Sequence, residues 1–256
     1  MKLGFVGTGA ITEAIVVGAL KSALPIAAIH LSPRSAAIAE RLAAASPLVT
    51  VAGDNQHVVD ASDTVFLAIR PQIAEEVVRA LRFRPEQHVV SLVAAVERQT
   101  LFDWIGEPVR LTQAIPLPFV ADRQGVTAIY PPDADIAAFF DALGSGVEAR
   151  TQPEYELLGV ASALMGTFFG IQEIGARWLE EKGMPYAQAR SYLAPLFESL
   201  AKTAARADGP DFETLREEFS TRGGLNEQVF VDFDRNGGAR ALTDALNGVL
   251  ARIQGR

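Results

Sequence analysis

The sequence predicts an α/β protein in two parts: a doubly wound sheet of alternating strands and helices, followed by an all-helical C-terminal half. Three observations predict it. Strand and helix patterns alternate over roughly the first 150 residues. A glycine turn, Gly7-Thr8-Gly9, joins an apolar strand to a run of helical character. From Pro153 onward no convincing strand remains, so the boundaries are drawn at 1–151 and 152–256.

Lys2 to Val6 reads as the first strand, with the first helix behind the turn. Strand Pro25 to Leu31, helix Ala36 to Ala45, strand Leu48 to Val51 and helical Asn55 to Ala61 follow. Asp63 to Ile69 is a continuous apolar run, as expected where helices cover both faces of a parallel sheet. Helix Ile73 to Leu81 leads to strand His88 to Ala94, and a short helix, Leu101 to Ile105, precedes strands Val109 to Ala114 and Gly125 to Tyr130. Asp135 to Leu143 is a helix ending at Gly144.

The second half opens with a long helix, Glu154 to Lys182, set between Pro153 and Gly183. Its uncharged middle is short for a membrane span and carries Gly159, Gly166 and Gly170, so a buried helix is expected. Leu157 to Ile171 is apolar almost all round and needs cover on every side. In a domain of about 100 residues that cover is expected from a second subunit, with assembly beyond a homodimer left open. Helices Tyr186 to Arg206, Asp211 to Phe219, Leu225 to Asp234 and Ala239 to Gln254 complete the chain.

The turn points to a nucleotide. A helix N-terminus presents unpaired N–H groups and the positive end of its dipole, a natural seat for a pyrophosphate. Gly7 allows the tight turn and Gly9 lets the backbone approach the phosphates, in the Rossmann-like manner; Thr12 takes the third small position, so the fingerprint is incomplete. Gly7, Thr8, Gly9, Ala10 and Ile11 are the first candidate cofactor residues. No acidic residue ends the second strand to accept ribose hydroxyls. Ser32, Arg34 and Ser35 offer hydroxyls and a guanidinium for a 2′-phosphate, which favours NADPH over NADH. Ile69, Arg70 and Pro71 follow the apolar strand at the edge where ligands sit in such sheets.

Composition narrows the classes. The 256 residues include no cysteine, which excludes disulfides, thiolate catalysis and Cys-ligated zinc. His30, His57 and His88 are far apart, so no metal site is expected. The net charge of -8 is spread evenly, with no basic patch, so nucleic acid is not an expected partner. Without a signal peptide or membrane span, a cytoplasmic protein acting on a small molecule is expected.

Five stretches carry a resemblance. GFVGTGAITEAIVVG, FLAIRPQ, VVSLVAAV, GVTAI and the Thr221-Arg222-Gly223-Gly224 loop stand in the order in which the pyrroline-5-carboxylate reductase family carries similar stretches. The chain resembles a divergent member of that family nearly end to end. The resemblance implies a Rossmann domain for NADPH, a helical dimerisation domain, an active site between the two, and reduction of a carboxylate-bearing cyclic imine to proline. The family's Pro-Asn-Thr-Pro falls on Pro116-Leu117-Pro118-Phe119, and its Ser-Gly-Ser-Gly-Pro-Ala-Tyr on Ser162 to Phe168. Its Ser-Pro-Gly-Gly-Thr-Thr falls on Thr221 to Asn226, so the hydroxyl implicated beside the imine nitrogen becomes the amide of Asn226.

A protonated imine is already an electrophile, so its reduction asks mainly for positioning. Ser220, Arg222, Gly223 and Gly224 are the candidate substrate-binding residues, anchoring a carboxylate at the start of the helix near Leu225. Asn226 and Thr221 are the candidate catalytic residues. Carbonyl reduction usually needs a positioned His or Lys, and the helical half contains only Lys182 and Lys202. Two other readings stay open: an NADP-dependent hydroxy or keto acid dehydrogenase, and a cofactor-binding protein with a degraded active site.

Overall fold

The computed structural model describes residues 1–206 and 208–255. The chain divides into two compact units, Met1–Gly159 and Val160–Arg256. The division falls inside a helix, later than the 151/152 step drawn from the sequence.

In the first unit, β1 (Lys2–Val6), β2 (Ala28–Leu31), β3 (Val49–Val51), β4 (Thr64–Leu67), β5 (His88–Ser91), β6 (Arg110–Pro116), β7 (Gly125–Tyr130) and β8 (Gly144–Glu148) form one sheet. Their spatial order is β3-β2-β1-β4-β5-β6-β7-β8. Every neighbouring pair is parallel except β6 and β7. Helices α1 (Ala10–Leu20), α2 (Ala36–Ala45), α3 (Asn55–Asp60), α4 (Pro71–Arg79), α5 (Arg98–Ile105) and α6 (Ala134–Asp141) lie between the strands in chain order. This is a Rossmann-like doubly wound sheet, and its strand order reverses at β1, which lies between β2 and β4.

Apolar side chains on the two faces of the sheet build two separate cores. One gathers Phe5, Ile15, Ile29, Leu31, Phe66 and Phe140; the other gathers Val58, Val65, Leu67, Val78, Val89 and Leu101. Phe5 and Phe66 are register partners on β1 and β4 and their rings stack at 4.7 Å. Such a pair contributes about 1 kcal/mol beyond its buried area and fixes the central strands whose ends carry the glycine turn.

β8 was not expected. Its sequence, Gly-Ser-Gly-Val-Glu, has no apolar alternation, and the strand forms through backbone proximity: at Gly144 (φ +141°) a Cβ would run into the Gly125 carbonyl.

The second half is helical: α7 (Gln152–Ser162), α8 (Leu164–Glu181), α9 (Tyr186–Ala204), α10 (Phe212–Glu218), α11 (Leu225–Arg235) and α12 (Gly238–Ile253). The expected single helix is broken at Ala163, giving α7 and α8. The expectation that it is buried does not hold in the single chain: Phe169 is 61% and Ile174 72% exposed. The reason is that α9 packs along one side of α8, through Phe168 and Phe197 at 5.9 Å, and leaves the rest uncovered. The stretch Gln152–Glu181 is long and apolar enough to cross a membrane by length and composition alone.

Candidate active site

The carboxyl end of β1 runs into Gly7, whose φ of +101° suits glycine, and a Cβ there would collide with the Ala68 carbonyl beyond β4. Three hydroxyls hold the turn. Ser32 Oγ accepts the Gly7 N–H at 2.9 Å, Thr8 Oγ1 donates to the Ser32 carbonyl at 2.7 Å, and Thr12 Oγ1 donates to the Gly7 carbonyl at 2.7 Å. Thr12 thus occupies the third small position while satisfying its hydroxyl in place, with no solvent exposure. Gly9 is the N-cap of α1, and no neighbouring heavy atom lies within 4 Å of where its Cβ would stand.

The turn opens onto a cleft of about 300 Å³. Gly7, Thr8, Gly9, Ser32, Arg34, Ser35, Ile69 and Arg70 all line it. Ala10 and Ile11 head α1 outside the lining, where their first-turn N–H groups lack helical partners; Pro71 opens α4. Ser32 is fully buried and its hydroxyl faces Gly7 and Thr8, so it shapes the turn while Arg34 and Ser35 face outward. Ser35 is in the left-handed region at φ +66°, a strained conformation for serine at the head of α2.

Asn55 also lines the cleft and escaped sequence reasoning. It sits at the first position of α3, next to the N-cap Asp54, whose carboxylate accepts the His57 N–H at 2.8 Å. Inspecting the end of every parallel strand, β3 included, would have found it.

The cleft fits a dinucleotide. It combines free N–H groups at a helix start, a turn that admits no Cβ at Gly7, two guanidinium groups and no carboxylate in its lining.

In the second unit the loop before α11 is closed by its own bonds. Gly224 N–H donates to the Thr221 carbonyl at 2.7 Å, Gly223 sits at φ +74°, and Asn226 Nδ2 donates to the Phe219 carbonyl at 2.7 Å. Asn226 keeps Oδ1 as an acceptor. Glu227 Oε2 accepts the Gly223 N–H at 2.6 Å, a carboxylate already seated where a substrate carboxylate is expected. Arg222 is exposed and makes no ion pair among the described residues. Ser220 donates its backbone N–H to the Glu217 carbonyl at 3.0 Å. Gly223, Gly224 and Glu227 line a small cleft of about 200 Å³ with Asp232 and Arg235, which pair at 3.2 Å.

Two other titratable side chains, Lys202 and Tyr155, are accounted for. Lys202 pairs with Glu198 at 2.6 Å along α9. Tyr155 is buried, and that burial pushes its phenol well up, leaving it neutral. No group of three His, Cys, Asp or Glu among the described residues could hold a metal ion.

Fold and cleft together define a Rossmann-type dinucleotide-binding protein with a helical second unit. Residues 2–95 match the family described as NADP oxidoreductase, coenzyme F420-dependent. Over 98% of its length the chain is 24% identical to the pyrroline-5-carboxylate reductase of Pseudomonas aeruginosa, covering 95% of that protein. In fold it is similar to the 1-pyrroline-5-carboxylate reductase of Streptococcus pyogenes, with a TM-score of 0.85 and 22% identity over 100% of this chain and 99% of that one. The pyrroline carboxylate reductase of Plasmodium falciparum, solved with NADP bound, gives 0.84 at 13% identity, covering 100% of this chain and 97% of that one. The resemblance to the pyrroline-5-carboxylate reductase family therefore holds along the whole chain.

Proposed function

We propose that this chain is an NADPH-dependent reductase of a cyclic imino acid of the pyrroline-5-carboxylate type, giving proline or a related amino acid. The observation that carries the reading is the cleft beside Gly7, with Arg34 and Arg70 in its lining and no carboxylate to receive a free ribose. The end-to-end similarity to a reductase named for that imine supports the substrate class.

When bound, the cofactor supplies a hydride. The chain's own residues bind and orient. The Gly7–Gly9 turn and the start of α1 receive the pyrophosphate, and Arg34, Ser35, Asn55 and Arg70 surround the adenosine end. Arg222 and the first-turn N–H groups of Leu225 and Asn226 anchor the substrate's acid. Asn226 Oδ1, its amide nitrogen tied to Phe219, accepts a hydrogen bond from a protonated imine nitrogen. A hydroxy or keto acid dehydrogenase would need a positioned Lys or His, and of the two lysines in this half Lys202 is paired with Glu198.

A second copy of the chain is the proposed cover for α8. Ile171, Ile174 and Trp178 are half or more exposed, while Glu173, Arg177 and Glu180 on the same helix suit a protein partner better than lipid. The cysteine-free composition fits a cytoplasmic setting. Steady-state NADPH oxidation with a panel of cyclic imines, with and without a carboxylate, tests the reading. Turnover of the carboxylated imines is expected, and no turnover of any imine overturns it.

A further inference from the structure

Gln113 lies in the middle of β6, paired across the sheet with Ser91 of β5 and Tyr130 of β7, and is only 2% exposed. Its Nε2 donates to the Val96 carbonyl at 2.8 Å, and its Oε1 is one of two buried side-chain atoms without a hydrogen-bond partner among the described residues. A buried acceptor left unpaired carries a cost that apolar side chains of the same size avoid. The bond to Val96 gives a reason for the amide. Val96 follows Ala95, one of three non-glycine residues in the left-handed region among the described residues, at φ +54°. That conformation persists in a side-chain-bearing residue only where neighbours hold it.

The strained turn is placed for function. It belongs to the loop after β5, at the carboxyl edge of the sheet that also carries the Gly7 turn. A dinucleotide crosses such a sheet at the point where the strand order reverses. With the adenosine end among Arg34, Ser35 and Asn55, on the β2 and β3 side of the Gly7 turn, the same reading sends the nicotinamide end the other way, past β4 toward the loop after β5.

We propose that Gln113 is a positioning residue for the nicotinamide end of the cofactor, acting through Val96 to hold the Ala95 turn in the shape the ring needs. This rests on the reading of the first unit as an NADPH site. Neither Ala95 nor Val96 lines the cleft assigned to the adenosine end, so the two ends separate the local effect from a general loss of structure.

Gln113→Met keeps the side-chain length and removes the donor to Val96. Titration of the purified protein with NADPH and with adenosine 2′,5′-bisphosphate, which carries only the adenosine end, should show NADPH weakened about tenfold and the bisphosphate changed less than twofold. Adding Ala95→Gly, which relieves the left-handed strain, should restore most of the NADPH affinity. Equal weakening of both ligands, no weakening of either, or a double variant no better than Gln113→Met overturns the proposal. If Gln113→Met does not fold, Gln113→Asn, one methylene short of Val96, carries the same titrations. Failure of the native protein to bind NADPH would overturn the cofactor reading itself, a different outcome from unchanged NADPH binding by the variant.

Discussion

Ser32 Oγ accepts the backbone N–H of Gly7 at 2.9 Å, tying the end of β2 to the turn after β1. The same side chain lies 3.1 Å from Thr8 Oγ1, and both residues are buried. The nucleotide turn is therefore braced from the neighbouring strand. Ser32→Ala leaves a mostly buried N–H without its acceptor, a loss of about 1–3 kcal/mol. Chemical denaturation should show that loss, and NADPH titration should show weaker binding. An unchanged dissociation constant would mean that the turn keeps its shape without the brace.

Arg34 and Arg70 line the cleft from opposite ends of the β1 region, one after β2 and the other after β4. Arg34→Asp replaces the proposed charge-assisted donor to a 2′-phosphate with a like charge. The ratio of kcat/KM for NADPH over NADH should fall by about tenfold or more, with the NADH value level or raised. Arg70→Ala should lower the same ratio by a smaller factor. An unchanged ratio in Arg34→Asp would remove that residue from phosphate recognition.

These residues show how much was legible beforehand. The Gly7–Gly9 turn, Arg34, Ser35 and Arg70 were visible because each follows an apolar run that reads as a strand, and strand ends gather at one edge of a parallel sheet. Periodicity assigns faces within an element, so the sheet and most helices were visible too. It does not say which way a small polar side chain turns at a strand end, and Ser32 turns inward. Asn55 joins the cleft only because short β3 lies beside β2. β8 is held by glycine backbones without an apolar pattern. Glu227 reaches four residues back along the chain to Gly223, a contact that depends on the left-handed turn at Gly223.

His88 makes stability depend on pH. Its Nε2 lies 2.9 Å from Thr112 Oγ1 and 3.3 Å from Asp133 Oδ2, and Asp133 also binds Arg110, which reaches Asp135. Burial, more than Arg110, lowers the His88 pKa, although Asp133 and Asp135 oppose the shift. The unfolded chain then takes up a proton near pH 6.5, before the folded one does. Stability is full above that value and falls as pH drops toward the lowered folded pKa. Asp133 adds a second loss in stronger acid. Burial raises its pKa, but the Ile136 N–H, His88, Arg110 and Thr112 together bring it below its ordinary value. Urea unfolding between pH 7.5 and 5 should show a slope that His88→Gln flattens. An equal slope in the variant would place the proton uptake elsewhere.

The uncovered face of α8 makes a measurable demand on assembly. Ile174 is 72% and Trp178 56% exposed, one turn apart on the same side of the helix. Light scattering at micromolar protein should give at least twice the 27.4 kDa of a single chain. Ile174→Asp buries a charge in the proposed interface and should shift the mass toward one chain, with a dissociation constant raised at least about 100-fold. A native protein that runs as a single chain would contradict the second-copy cover.

Glu227 should set how strongly the enzyme favours an acid. Its carboxylate accepts the Gly223 N–H, beside the free first-turn N–H groups of Leu225 and Asn226 at the start of α11. On the proposed reading, a substrate carboxylate arriving there gains the helix dipole and Arg222 but meets a resident negative charge of the same kind. Glu227→Gln keeps the acceptor for Gly223 and removes the charge. KM for a carboxylated cyclic imine should fall about fivefold at low salt with kcat little changed, the pattern of altered ground-state binding. Added salt should shrink the difference, because an exposed charge is screened within about 8 Å at physiological ionic strength. A neutral cyclic imine of the same ring size should show no change in either constant. If the neutral imine gains as much as the carboxylated one, Glu227 acts on the shape of the loop and not on the charge of the substrate.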